Sequence, residues 1–295
     1  MQTILDAIPI FPETRKINIS DFALYEKWRK ENGSEMADTI FANLFIWSDS
    51  RPILFSKIDN ALIIAGIYDG QKKFIYPIGK FDYENMIEKL IKISPNIIKI
   101  PERPAEKLQQ LGFKIEEDRD NFEYVYKYED LAELKGRKYD GKRHNIKSCL
   151  SKYNCVYEKL SHGNCQDCMD FYEKWAATKP DQKKETQDEH LAVKKSLQYF
   201  NELELIGGAI RINGQIEAFT IGGKINEKTA IIHSEKANAK IPGLYQVINQ
   251  WFLINSLNNM GIEFINREQD LGIPGLRKAK LSYHPDHFIK KFCKN

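Results

Sequence analysis

The sequence lacks any apolar run long enough to cross a bilayer: the longest, Ala61 to Tyr68, falls far short of the roughly 20 residues a spanning helix needs. It lacks the marks of a secretory leader as well. Met1 to Arg15 carries Asp6 and Pro9 in its apolar part and no basic segment ahead of it, so a cytoplasmic setting is expected. Cysteine is scarce and odd in number. Cys149, Cys155, Cys165, Cys168 and Cys293 show no framework spacing, which favours reduced thiols over disulfides. Net charge is also small: 44 Lys and Arg face 41 Asp and Glu, leaving +3, which excludes a uniformly basic nucleic-acid coat or an acidic disordered tail. What remains is a globular composition, 42% hydrophobic and 29% charged, in 295 residues, enough for about two domains with a core each.

The order of elements repeats along the chain. Ile53 to Ile58, Ala61 to Ile67 and Lys72 to Pro77 read as strands separated by the turn pairs Asp59-Asn60 and Asp69-Gly70. Asp82 then caps a helix with Met86, Ile87, Leu90 and Ile91 on one face, followed by a strand at Ile97 to Ile100. A helix from about Arg103 to Leu111 stops at Gly112, and Phe113 to Tyr126 returns as strand with a turn near Asp118 to Asp120. The second half follows the same plan. Leu203 to Arg211, Gln215 to Gly223 and Lys228 to Lys236 are strands, with Asn213-Gly214 and Asn226-Glu227 as turns. Pro242 opens a helix to Met260, Ile262 to Asn266 is a strand, Pro274 starts a helix to about Ser282, and Asp286 to Phe292 closes. Helices at about Gly141 to Lys152, Cys165 to Lys179 and Glu185 to Asn201 precede this repeat, and the polar stretch Glu129 to Tyr139 reads as the linker.

Three strands, helix, strand, helix, strand is the order of N-acetyltransferase-like (GNAT) folds, and Leu111-Gly112-Phe113 is similar to their usual ending. The letters are more specific. His233-Ser-Glu-Lys-Ala237, Gly243-Leu-Tyr-Gln246 with Ile248-Asn-Gln250, Asn266-Arg-Glu-Gln-Asp-Leu-Gly272 and Gly275-Leu-Arg-Lys-Ala-Lys-Leu-Ser-Tyr283 mark the second half. Phe41-Ala-Asn-Leu44, Trp47 and Pro77-Ile-Gly79 mark the first. Together they resemble the soluble bacterial family named for the C-terminal domain of phosphatidylglycerol lysyltransferase, related to Fem-like enzymes, over nearly the whole chain. The resemblance implies an α+β fold of two tandem GNAT-like (acyl-CoA N-acyltransferase-like) domains, each a mixed central sheet flanked by helices. Residues 1–130 would be a degenerate copy serving as scaffold or acceptor platform, and 131–295 the copy with the active site. It implies transfer of an aminoacyl or other acyl group, from aminoacyl-tRNA or acyl-CoA, to an amine or hydroxyl on a small molecule, a peptide or a lipid headgroup. No separate cofactor is read from the sequence. Coenzyme A is the weaker donor, because a diphosphate cradle needs several free backbone N–H groups before a helix, and Ala237 to Gly243 offers one glycine while Pro242 removes a donor.

Acyl transfer to an amine needs a base, donors for the tetrahedral oxyanion and cations for a phosphate-bearing donor. Alternation along Lys228 to Lys236 puts His233 and Glu235 on one face, where they either meet one substrate or orient each other within the sheet. Asn266, Arg267, Glu268 and Asp270 gather where the next strand ends; Glu268 and Asp270 would position an amine, while Arg267, Arg277 and Lys280 would hold anionic groups. The same charges could instead form exposed ion pairs. Tyr283 is either a substrate-positioning hydroxyl or amphipathic core, and Tyr245 and Gln246 stand at the helix start that would face the donor. From Lys135 to Lys152 seven Lys or Arg face one acid, Asp140, so that Lys142, Arg143 and Lys147 form a track for RNA or another anion, or a solvated face. His162, Cys165 and Cys168 lack the fourth ligand of a structural zinc; no metal is expected, and they read as the start of a helix. A catalytically silent duplicated fold that binds RNA or an anionic metabolite stays open as the alternative.

Overall fold

The computed structural model describes residues 3–32, 35–68, 70–91, 96–178 and 184–294. In chain order the strands are β1 (Arg15–Lys16), β2 (Ile53–Ile58), β3 (Ala61–Tyr68), β4 (Gln71–Gly79), β5 (Ile97–Pro101), β6 (Glu116–Glu117) and β7 (Glu123–Lys127). They continue as β8 (Cys155–Lys159), β9 (Ile206–Ile212), β10 (Gln215–Lys224), β11 (Thr229–Ala237), β12 (Phe264–Asn266), β13 (His287–Ile289) and β14 (Lys291–Lys294). Among the described residues they form two seven-stranded mixed sheets, ordered β1-β2-β3-β4-β5-β14-β6 and β13-β7-β12-β11-β10-β9-β8.

The chain divides into two compact units that are discontinuous in sequence. The first takes Met1–Glu123, Gln269–Arg277 and Phe288–Asn295; the second takes Tyr124–Glu268 and Lys278–His287. The expected halves, 1–130 and 131–295, therefore differ from the units the fold makes. Each closing strand of the sequence reading is really two. Phe113 to Tyr126 breaks at the Arg119–Asn121 turn into β6 and β7, and Asp286 to Phe292 breaks at Lys290 into β13 and β14, one of each pair in either sheet.

In the first unit the meander β2-β3-β4 is antiparallel, and β4 pairs parallel with β5 at Phe74↔Ile97 and Ile75↔Ile98. Helices Tyr83–Ile91 and Glu102–Gln110 follow the expected stripes, burying Met86, Ile87, Leu90, Ala105 and Leu108 against Ile63, Phe74, Ile97 and Ile100. Of the predicted turns, Asp69 lies outside the described residues. Helices Phe22–Asn32 and Phe41–Ile46, which the spacing does not predict, complete the unit. Beneath them lies a buried ionic network. The Lys291 ammonium, 0% exposed, reaches both Asp38 and Glu123, the latter at 2.7 Å; Lys99 closes on the other Asp38 oxygen. The Glu123 carboxylate also accepts the Ala37 N–H at 2.9 and 3.1 Å. Burial alone would raise the Asp38 carboxyl, but Lys291 and Lys99 hold it well below the carboxylate range. Burial would likewise lower the Lys291 ammonium, which Asp38 and Glu123 hold above the ordinary lysine value.

In the second unit, Asn213 (φ +52°) and Gly214 (φ +81°) make the tight turn that their letters predict between β9 and β10. β8, an edge strand with Val156 turned to solvent, is an element the sequence reading does not assign. The linker reading of Glu129 to Tyr139 is corrected. Tyr128–Glu133 is a helix and Arg137–Tyr139 a tight turn, and Leu131, Ala132, Leu134 and Tyr139 are buried apolar groups that the surrounding charges conceal. The main helix also starts later than Pro242 and stops earlier than Met260. It runs Leu244–Phe252 because Gly243 sits at φ +89°, and it ends in a π-helical turn, Leu253–Leu257. A Cβ at Gly243 would stand 2.3 Å from the Asn145 carbonyl oxygen, so helix Asp140–Lys152 packs directly over this start.

Two outcomes are expected. Lys291→Met should lower the stability of the full chain in urea by about 3–5 kcal/mol, because it leaves buried carboxylates short of a partner. Since the folded Asp38 carboxyl is depressed, its contribution is present above the unfolded value of about 4 and lost as pH falls through the folded one. Wild-type stability should therefore drop below about pH 4, and more steeply than that of Lys291→Met.

Candidate active site

The site begins with a defect in pairing. β10 and β11 run in register to Ile221↔Ser234 and resume at Gly222↔Ile232, so His233 is one residue too many on β11, a bulge. Gly222 makes room for it: a Cβ there would lie 2.1 Å from the Ile231 carbonyl oxygen. On its other side β11 pairs parallel with β12 only at Thr229↔Phe264, Ala230↔Ile265 and Ile231↔Asn266. Beyond that register, β11 continues through His233 and Glu235 while the chain after Asn266 turns away. That turn is tied on both sides. Arg267 N–H donates to the Tyr124 carbonyl and Tyr124 N–H to the Glu268 carbonyl, at 2.9 and 3.2 Å, while the buried Asn266 side chain accepts the Glu268 N–H at 2.8 Å. Glu268 is held at φ +55°, a conformation that costs a non-glycine residue energy and is maintained by these bonds.

Two couples result. His233 Nδ1 lies 2.9 Å from Glu268 Oε1. A carboxylate can only accept, so in its neutral form the ring carries its proton on Nδ1 and presents a lone pair on Nε2, which is buried with no protein partner. Glu235 Oε1 receives Arg267 at 3.1 Å, and its Oε2 receives the amide of the buried Asn249 at 2.9 Å. The Arg267 guanidinium stands 5.0 Å from the Tyr283 ring and 5.9 Å from Tyr126. Burial opposes its charge, and Glu235 together with Tyr126 and Tyr283 holds the guanidinium above its ordinary value. Lys142 joins the cluster from helix Asp140–Lys152, donating to Ser282 Oγ at 2.7 Å with its ammonium 4.0 Å from the Tyr283 ring. Burial and the neighbouring Arg267 push that ammonium below the ordinary lysine value. Burial pushes the Tyr283 hydroxyl up to about 12, so it is a phenol at neutral pH, a donor and not a base.

The other expected residues are placed differently. Asp270 and Arg277 belong to the first unit, where Arg277 donates to the buried Asp270 from Nη2 at 2.8 Å and Nε at 2.9 Å, Arg119 adds 3.3 Å, and Asp120 shares the same Nη2 at 2.6 Å. Their charges answer one another. Lys280 spends its ammonium on the Arg267 and Glu268 carbonyls, shaping the turn instead of holding an anion. Arg143 caps the Leu134 and Gly136 carbonyls and pairs with Asp140. Lys147 lines an open cleft of about 480 Å³ with Glu133, Leu150 and Gln250. The Tyr245 hydroxyl is raised by burial, with Ala237 and Trp175 acting the other way, and Gln246 is half-buried. Cys165 and Cys168 begin helix Cys165–Ala177 and are buried. Asn249 is the contributor that sequence reasoning passes over; its place on the inner face of an otherwise apolar helix stripe is the signal that marks it.

Mixed sheets flanked by helices, with the third strand of a meander splaying from a parallel neighbour, define an acyltransferase-like fold of the GNAT and Fem type. Solved structures share it: FemX is 8% identical over 96% of this chain and 97% of its own, with a TM-score of 0.56. The C-terminal domain of a putative lysylphosphatidylglycerol synthetase from Agrobacterium fabrum is 16% identical over 94% and 92%, with a TM-score of 0.64. The chain belongs to the family of the phosphatidylglycerol lysyltransferase C-terminal domain, whose profile matches residues 30–294. A conserved protein of unknown function from Bacteroides thetaiotaomicron is 32% identical over 95% of this chain and 98% of its own, with a TM-score of 0.87. No curated protein matches the sequence. No helix among the described residues is long and apolar enough to cross a membrane.

The tautomer is directly measurable. Nitrogen NMR of histidine-labelled protein should find neutral His233 protonated on Nδ1, and Glu268→Gln should mix the two tautomers.

Proposed function

We propose that the protein is an acyltransferase that moves an aminoacyl group from an aminoacyl-tRNA to an amine or hydroxyl acceptor, with its chemistry in the second unit. The observation that carries this reading is the His233–Glu268 couple, set on a bulge beside Glu235 and Arg267 where β11 leaves β12. His233 Nε2 takes the proton of the attacking amine or hydroxyl as the acceptor attacks the acyl carbon, and returns it to the hydroxyl of the donor as the donor ester bond breaks. Glu268 keeps the ring in the required tautomer and stabilises its charged form. Arg267, Lys142 and the Tyr283 phenol supply positive charge and a donor for the developing oxyanion, in surroundings where such groups act strongly. The tight approach of Asn145 to Gly243, with Pro242 before it, supports an aminoacyl donor over coenzyme A, because it leaves the helix start little room for a diphosphate.

A second reading, a silent fold that binds RNA or an anionic metabolite, is favoured by burial: Glu235 and Arg267 are little exposed and are each other's partners, and His233 Nε2 is itself closed to solvent. Transfer assays separate the two. Charged tRNAs and a panel of acyl-CoAs are offered with amine and hydroxyl acceptors. The enzyme reading expects labelled product, reduced about 10²- to 10⁴-fold in the Glu235→Gln, Glu268→Gln double variant. Turnover no greater than that of the double variant, with any donor, supports the silent fold.

A further inference from the structure

We infer that the first unit binds a small zwitterion with an apolar body, an apolar amino acid or a dipeptide, in a cavity where β4 and β5 part. The two strands pair parallel at Phe74↔Ile97 and Ile75↔Ile98, and each then runs on, β4 to Gly79 and β5 to Pro101. A cavity of about 480 Å³ opens beyond that register, lined by Tyr76, Ile78 and Gly79 from β4 and by Pro101 from β5. The second unit carries its His233–Glu268 couple at the corresponding place on its own sheet, where β11 runs on past β12. In the first unit the letters there are apolar instead. Met36, Phe81 and Ile289 complete the wall, with the Tyr76 and Phe81 rings 5.9 Å apart and tilted by 54°. A volume between about 300 and 1,000 Å³, an apolar and aromatic lining and a few polar groups are the make-up of a small-molecule site.

The polar part of the lining, Asn32, Glu35 and Arg103, defines the ends of the ligand. Glu35 and Arg103 are exposed, and among the described residues neither enters an ion pair with another side chain. Arg103 stands in the first turn of helix Glu102–Gln110, whose N-terminal N–H groups receive no side-chain cap. Guanidinium and helix start both favour a carboxylate. Asn32, at the end of helix Phe22–Asn32, spends its NH₂ on the Trp28 carbonyl at 3.1 Å, which leaves its oxygen as an acceptor. That oxygen and the Glu35 carboxylate can only accept, so they call for an ammonium. The lining thus holds one charge of each sign around an apolar space. A fatty acid would meet repulsion from Glu35 and an alkylamine repulsion from Arg103, whereas a zwitterion answers both and lays its apolar body against Tyr76, Phe81 and Ile289. The site does not rest on the transfer reaction, and its test does not use that activity.

Isothermal titration of the full chain decides it, with phenylalanine and the dipeptide leucyl-phenylalanine as probes. The controls are 3-phenylpropionate, which lacks the ammonium, phenethylamine, which lacks the carboxylate, and glycine, which lacks the apolar body. At least one of the two zwitterionic probes should bind at least about fivefold more tightly than every control. The tighter of the two tells a free amino acid from the end of a peptide. Arg103→Gln should weaken that probe at least about fivefold and leave phenethylamine no weaker; Glu35→Gln should weaken it similarly and leave 3-phenylpropionate no weaker. Both side chains are exposed, so neither change removes a buried contact. No heat with either zwitterion up to about 10 mM would overturn the assignment. So would 3-phenylpropionate or phenethylamine binding as tightly as the zwitterions, or zwitterion affinity unchanged in both variants.

Discussion

The Lys291 ammonium is the constraint on which the first unit depends. A charge stripped of water is tolerated only with opposite charges at close range, and Lys291 has Asp38 and Glu123. Those two carboxylates come from distant parts of the chain, a short turn before helix Phe41–Ile46 and the first residue of β7. The lysine comes from β14. An arrangement that separated these segments would leave buried charges unpaired, so the network favours β14 in its place and holds Asp38 beside its second partner, Lys99.

The second unit solves a different problem, how to bring a histidine and a cation to one spot on a sheet whose period is two. The bulge adds a residue, Gly222 gives it space, and the parallel pairing of β11 with β12 ends just before it. Asn266, Tyr124 and Lys280 then hold the turn after β12 by its backbone, so that Arg267 and Glu268 face β11 from a strained but well-bonded loop. Catalytic candidates and positioning groups are distinct here. In the proposed reaction His233 and Arg267 are the reacting groups; Glu268 and Asn249 hold them through hydrogen bonds, and Asn266 holds the turn.

Much of this was legible in the sequence because it is local. The Asn213-Gly214 turn, the alternation of the meander strands and the Met86-Ile87-Leu90 stripe each follow from a few neighbouring residues. His233, Glu235, Arg267 and Glu268 were legible as a group because they end adjacent strands. The sheet that a strand joins is not a local property, and β7 and β14 could not be assigned from their letters. Asp270 and Arg277 looked like site residues for the same reason: their partners, Arg119 and Asp120, are remote in sequence. The pairing of His233 with Glu268 in place of Glu235 came from the bulge, which is a matter of register between β10 and β11. Asn249 was hidden because one polar letter in an apolar stripe passes for noise.

The exchange of closing strands sets an order of events during synthesis. A ribosome delivers β2 to β5 early, yet the position between β5 and β6 is filled by β14, translated after everything in the second unit. Until then Asp38 and Glu123 lack the lysine that neutralises them, and the edge of β5 is open. The nascent first unit must wait, partly built, while the second is made. A chain stopped before β14 would expose that edge and leave Glu123 without its lysine, which distinguishes an incomplete molecule from a finished one.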